Sequence, residues 1–190
     1  AYPSRRAWLH VTVSDGRGAL VFESGALSPD GSIVGNDNDA DPFRYEPHYE
    51  RIRRADQVQI YEPILGAPDG TVTTGLLTAS RYLKDNRILP LGFDKRSASK
   101  DVAVVGAAVR DASFGAGADT VRYTVNVTGR TGPYRVRAEL WYQPIGYRWA
   151  HNLGARRSKE TDRFVSYYRA ASDASAIMLG KSEAVAPSGQ

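Results

Sequence analysis

The sequence contains no cysteine. That absence excludes disulfides, thiolate metal sites, a cysteine nucleophile and any covalent CxxCH haem attachment within the chain. It leaves the compartment open, because an exported protein need not carry cysteine. No apolar run approaches the ~18 residues that a membrane span requires. A secretory leader is not visible at Ala1-Tyr2-Pro3-Ser4, so the chain reads as a mature protein or an excised domain. Charge of one sign is not concentrated either. The 25 basic and 21 acidic residues leave a formal charge of +4, and the arginines are scattered rather than gathered into a tract, so nucleic-acid binding is not expected. There is no G-x-S-x-G elbow, no P-loop, no strand-linked GxGxxG and no HExxH, and a non-enzyme is the expectation. Glu62 with Asp94 can be nominated as a hydrolytic carboxylate pair, but nothing selects that pair over others.

What is present is β-strand patterning. The chain has 190 residues, enough for one large domain with its own core. Leu9, Val11 and Val13 alternate with Trp8, His10 and Thr12; Asp15-Gly16-Arg17-Gly18 supplies turn chemistry, and the chain returns from Leu20. Strands are expected again over residues 57–65, 71–74 and 101–107. Residues 79–84 fit either a short helix or a strand. The strongest alternation is in Val121, Tyr123, Val125 and Val127, and again in Tyr134, Val136, Ala138, Leu140 and Tyr142. Period-2 patterning of this kind predicts antiparallel strands with one buried face.

Near the end the period changes. Ser158 or Thr161 can cap a helix running from about 160 to 181, with Phe164, Tyr167, Tyr168, Ala171, Ala174 and Met178 along one stripe. Strands followed by a helix predict a mainly β fold: an antiparallel β-sandwich, Ig-like or jelly-roll-like, with one C-terminal amphipathic α-helix, as a single domain over 1–190.

Two clusters are candidate sites. Asp37, Asn38, Asp39 and Asp41 crowd carboxylates into one loop, a candidate calcium site because hard cations take several oxygens. The glycine and distal glutamate of an EF-hand are missing; Glu46 or Glu50 could complete a different site, and a solvated Asx-turn loop is the plainer alternative. Trp141, Tyr147 and Trp149 form the richest aromatic segment and are the candidate platform for a partner or ligand. Trp141 points away from the Leu140 core face, where the C-terminal helix is expected to cover it. His10, His48 and His151 show no metal-ligand spacing.

Several phrases resemble the C-terminal β-domain of proteobacterial multihaem cytochrome c-like proteins. They are Ala7-Trp8-Leu9-His10-Val11-Thr12-Val13, Val21-Phe22-Glu23-Ser24-Gly25, Gln57-Val58-Gln59-Ile60-Tyr61-Glu62, Arg81-Tyr82-Leu83-Lys84-Asp85-Asn86-Arg87, Leu91-Gly92-Phe93-Asp94-Lys95 and Tyr142-Gln143-Pro144-Ile145-Gly146-Tyr147-Arg148-Trp149. The resemblance implies a periplasmic or extracellular, non-catalytic structural or docking domain. Its partner would be a haem-bearing cytochrome domain or subunit, and one of the three histidines would be able to reach that partner's haem. A carbohydrate- or surface-binding module with structural calcium is the alternative expectation.

Overall fold

The computed structural model describes residues 2–187. The chain opens with a hairpin of β1 (Arg6–Ser14) and β2 (Leu20–Ser24). Asp15 builds its turn: Oδ1 accepts from the amides of Arg17 at 2.9 Å and Ala19 at 3.0 Å. A side-chain carboxylate that satisfies two turn amides replaces a ladder the chain can no longer make. Then come α1 (Asp37–Ala40), β3 (Arg51–Ile52), β4 (Ile60–Tyr61), β5 (Pro63–Gly66), β6 (Val72–Thr73) and β7 (Arg81–Asp85). The second half holds β8 (Arg122–Tyr123), β9 (Tyr134–Gln143), α2 (Tyr147–Gly154), α3 (Lys159–Ala170) and β10 (Ile177–Ala186).

The architecture is mainly β, with antiparallel sheets and a few short helices. The principal sheet runs β10-β9-β1-β2, with β4 also paired to β1. β5 lies between β6 and β7, and β3 pairs with β8 in parallel. β1 is central and buried on both faces. On one face Trp8 packs with Ile33, Val58 and Ile60. On the other, Ala7 and Leu9 join Tyr61 and Phe114, while Val13 joins Phe22, Ile52 and Tyr134. The alternation in β1 therefore separates two cores, not a core from solvent.

Gly25 shows how closely these layers approach. Its φ of +82° suits glycine, a Cβ there would collide with the Leu9 carbonyl oxygen, and its own carbonyl accepts from Trp8 Nε1 at 2.8 Å.

Three expectations change. The C-terminal helix ends at Ala170, and residues 177–186 form a strand paired with β9. Ser158 does cap α3, in a reciprocal capping box with Thr161. The helix stops because Ser172 and Ser175 are tied elsewhere. Ser172 Oγ donates to the Pro29 carbonyl at 2.7 Å, and Ser175 Oγ accepts from Gln143 Nε2 at 2.7 Å. Residues 101–107 form turns and an isolated bridge at Val105, with a 3-10 turn over Ala107–Val109. Finally, Val121, Tyr123, Val125 and Val127 do pack toward the Val13 cluster. Only Arg122–Tyr123 enters a ladder, however, and it pairs with β3 instead of β9. The strand alternation reports facing, which survives where ladder pairing does not.

Candidate functional site

The acidic loop folds as a capped helical turn. Asn36 Oδ1 accepts from the amides of Asn38 at 2.7 Å and Asp39 at 3.1 Å, the local bonding that starts helices. The carboxylates then diverge. Asp39 takes Arg6 in a bidentate pair at 2.8 and 2.9 Å and accepts the Ile33 amide at 2.8 Å. Asp37 pairs with Arg44 at 3.1 Å, and Asp41 accepts the Phe43 amide at 2.9 Å. Asn38 Nδ2 donates to the Arg44 carbonyl at 2.7 Å. The Asn38 and Asp39 carbonyls are taken by Arg148 of α2. The positive charge that this loop calls for is supplied by arginines, and its oxygens do not converge on one point. The loop is a latch joining β1, α1 and α2.

The three platform aromatics do not share a surface. Trp141 stacks on Trp8, with ring centroids 6.3 Å apart, and its Nε1 donates to Glu139 at 2.9 Å. Instead of lying under the C-terminal helix, Trp141 packs against the buried cluster of Trp8, Ile33, Val58 and Ile60. Tyr147 packs on His151, at 5.4 Å between centroids. Of the three, Trp149 alone lines a groove of about 810 Å³. Phe43, Leu76, Ile145, Leu153 and Phe164 line it as well. Phe43 and Leu76 are 71% and 59% exposed there, and neighbouring Leu77 is fully exposed. Asn152 Nδ2, within the groove, donates to Thr74 Oγ1 at 3.0 Å.

The histidines occupy three different environments. His10 lies between two carboxylates, Glu139 at 3.0 Å and Glu23 at 2.9 Å. Burial works to raise the Glu139 carboxyl, but the Trp141 N–H, His10 and Arg137 hold it below the usual range. His151 is exposed on α2. His48 is sealed in the interior with Asp111 and Asp119, and sequence reading did not single out this centre.

At that centre His48 Nε2 donates to Asp111 Oδ2 at 3.1 Å and lies 3.8 Å from Asp119 Oδ2. Nδ1 faces two amide donors, Gln59 Nε2 at 2.8 Å and Asn86 Nδ2 at 3.0 Å. Both amides are oriented by the backbone: Gln59 Oε1 accepts from the Tyr49 amide, and Asn86 Oδ1 from the Glu62 amide. Nδ1 is therefore an acceptor and Nε2 carries the proton. Tyr61 donates its hydroxyl to Asp119 at 2.7 Å, and burial together with that bond pushes its phenol well above the ordinary range. Burial would raise Asp111 too, but the Ser113 hydroxyl and amide, with His48, hold it below.

His48, Asp111 and Asp119 bring ligand-type atoms within 4.8 Å of one another, the only such group among the described residues. A cation on Nε2 would drive the proton to Nδ1, against two fixed N–H donors. The hydrogen bonds thus favour a closed structural network over metal binding. His48 and Asp111 are 63 residues apart, so no local motif announces the centre. The one local signal that could have led to it is the spacing of Gln59 and Tyr61, two residues apart at the start of β4.

A second core group surrounds Glu46. Its Oε1 accepts the Asp37 amide and its Oε2 has no partner. The buried Lys84–Glu62 pair, at 3.2 Å, is its electrostatic neighbour. Burial and the Glu62 charge push Glu46 up to about 8, against the pull of Lys84.

No family model matches the chain, and no curated protein does. Among solved structures it matches part of a penta-haem cytochrome c552 from Thermochromatium tepidum. The TM-score is 0.48 at 14% identity, over 96% of this chain and 31% of that one. The chain thus spans about a third of the length of the protein it resembles. It resembles part of a multihaem cytochrome c, yet without cysteine it can hold no thioether-linked haem of its own. No helix is long and apolar enough among the described residues to cross a membrane.

Proposed function

We propose that this chain is a non-catalytic docking domain of a multihaem c-type cytochrome assembly, working in the periplasm or outside the cell. The observation that carries the reading is the Trp149 groove, with Phe43 and Leu76 exposed on its rim. Contiguous exposed apolar side chains around a depression favour a partner. The cytochrome-like phrases spread along the chain support the choice of partner, and so does the lack of any motif for chemistry. Electron transfer then belongs to the haem-bearing partner, and this domain contributes position and cover. Of the three histidines, only His151 on α2 has an exposed side chain to offer such a partner.

The test is capture of covalently haem-stained protein by the tagged chain in cells that make c-type cytochromes. Wild type is expected to retain a haem-bearing polypeptide. Leu76→Asp and Trp149→Ala are expected to release it while keeping the wild-type melting curve. Capture of no haem protein would overturn the reading. Glycan-array binding that disappears in Trp149→Ala would replace it with a carbohydrate-binding module.

A further inference from the structure

β10 is exposed at all ten of its positions. It forms the outer edge of the principal sheet, paired only to β9 among the described residues. Ile177, Met178, Leu179 and Val185 stand out to solvent along it. A long apolar edge strand with free backbone donors and acceptors is a template for another strand. Little of this chain covers it. No β10 residue lines the Trp149 groove, so the edge is a separate surface from the one proposed for docking.

The sequence of β10 determines what fits. Ser182 lies at the centre of a self-complementary segment, Leu179-Gly180-Lys181-Ser182-Glu183-Ala184-Val185. We propose that a second copy of this chain pairs with it, β10 against β10, antiparallel about a two-fold axis through Ser182. Lys181 then faces Glu183 of the second copy, and symmetry repeats that pair on the other side of the axis. Gly180 faces Ala184, and Leu179 faces Val185. Lys181 and Glu183 lie on the same face of the strand, as two residues separated by one must.

The sheet inside each copy continues the pattern. Glu183 is opposite Arg137 on β9, with its Oε1 3.9 Å from the Arg137 Nε, and Lys181 is opposite Glu139. Across the joined sheet the row therefore reads Arg137, Glu183, then Lys181 and Glu139 of the second copy, with alternating sign throughout. Neighbouring registers that keep the same faces shift the pairing by two residues. They set Lys181 against Lys181, or Glu183 against Glu183, on the axis. Like charges directly opposite are unfavourable, so this register is selected against both of its neighbours.

The experiment is oligomeric mass by light scattering on the full chain, with melting curves run on every variant. Wild type is expected to be a concentration-dependent dimer that weakens as salt rises. Lys181→Glu and Glu183→Lys each place like charges opposite twice, and each is expected to weaken the dimer by about tenfold or more. The double variant Lys181→Glu/Glu183→Lys restores opposite pairs between the copies, while setting like charges against Glu139 and Arg137 within each copy, and is expected to dimerise more tightly than either single variant. A wild-type chain that stays monomeric at high concentration would overturn the proposal. So would a dimer indifferent to both single variants, or a double variant weaker than either. Loss of the dimer in the single variants leaves haem-protein capture through the Trp149 groove intact, which keeps the two readings distinguishable.

Discussion

Asp111 accepts the Nε2 proton of His48 at 3.1 Å, with both side chains sealed from solvent. Two amides hold the other ring nitrogen as an acceptor. The imidazole therefore has one tautomer, chosen by residues whose own orientation the backbone fixes.

The first prediction follows from that tautomer. Nitrogen-15 spectra of His48 are expected to show Nε2–H and a bare Nδ1. Calcium, zinc and EDTA are expected to leave the melting curve unchanged, because a ligand that binds only the folded state would raise it. A metal-dependent rise in Tm that His48→Ala abolishes would make the centre a metal site. His48→Ala alone removes one hydrogen-bond partner each from Asp111, Gln59 and Asn86 and empties a buried ring site, at a cost of about 3 kcal/mol in denaturant unfolding.

The second concerns the latch between β1 and the acidic loop. Asp39→Asn leaves the buried Arg6 guanidinium without its bidentate carboxylate. Breaking one member of a buried pair costs about 3–5 kcal/mol. The expected result is a lowered denaturant midpoint that calcium does not restore. A variant as stable as wild type would show that Arg6 finds its compensation elsewhere.

The third is the pH profile of stability. Glu46 keeps its proton in the fold up to about 8, against an ordinary value near 4.5. The folded state thus binds more protons than the unfolded chain across that window, and stability falls as pH rises through it. Asp111 acts in the opposite sense. Its lowered carboxyl stabilises the fold above its ordinary value of 3.8, and that contribution is lost as pH falls through the folded value. Unfolding measured at about pH 5 and about pH 9 should differ by a few kcal/mol in wild type, and by much less in Glu46→Gln. Equal slopes in the two proteins would remove Glu46 as the cause.

The β-rich class, the first hairpin and the strand from Tyr134 were legible because alternation reports which side chains are buried. The Ser158 cap was legible because capping is local. The end of α3 was not. Ile177–Ala186 carries no strong period, and what makes it a strand is an empty edge on β9, supplied by a segment more than thirty residues earlier. The acidic loop was recognised as needing positive charge, but Arg6 lies 33 residues away, and spacing cannot show that it arrives there. Of the aromatic segment, Trp149 lines a surface groove and Trp141 stacks on Trp8, a difference set by contacts that spacing along the chain cannot show. The His48 centre draws on residues spread from 48 to 119, and only the folded chain brings them together.

The position of β1 also governs how the chain assembles. The central strand precedes its longest partner, β9, by most of the sequence, with His10 opposite Glu139 across 129 residues. A nascent chain can close the hairpin with β2 early, while the other edge of β1 waits for the final third of the sequence. Loop closure over that distance places the sheet among slow, non-local folders. Translation through Gln143 therefore limits when the two cores on either side of Trp8 and Leu9 can become dry.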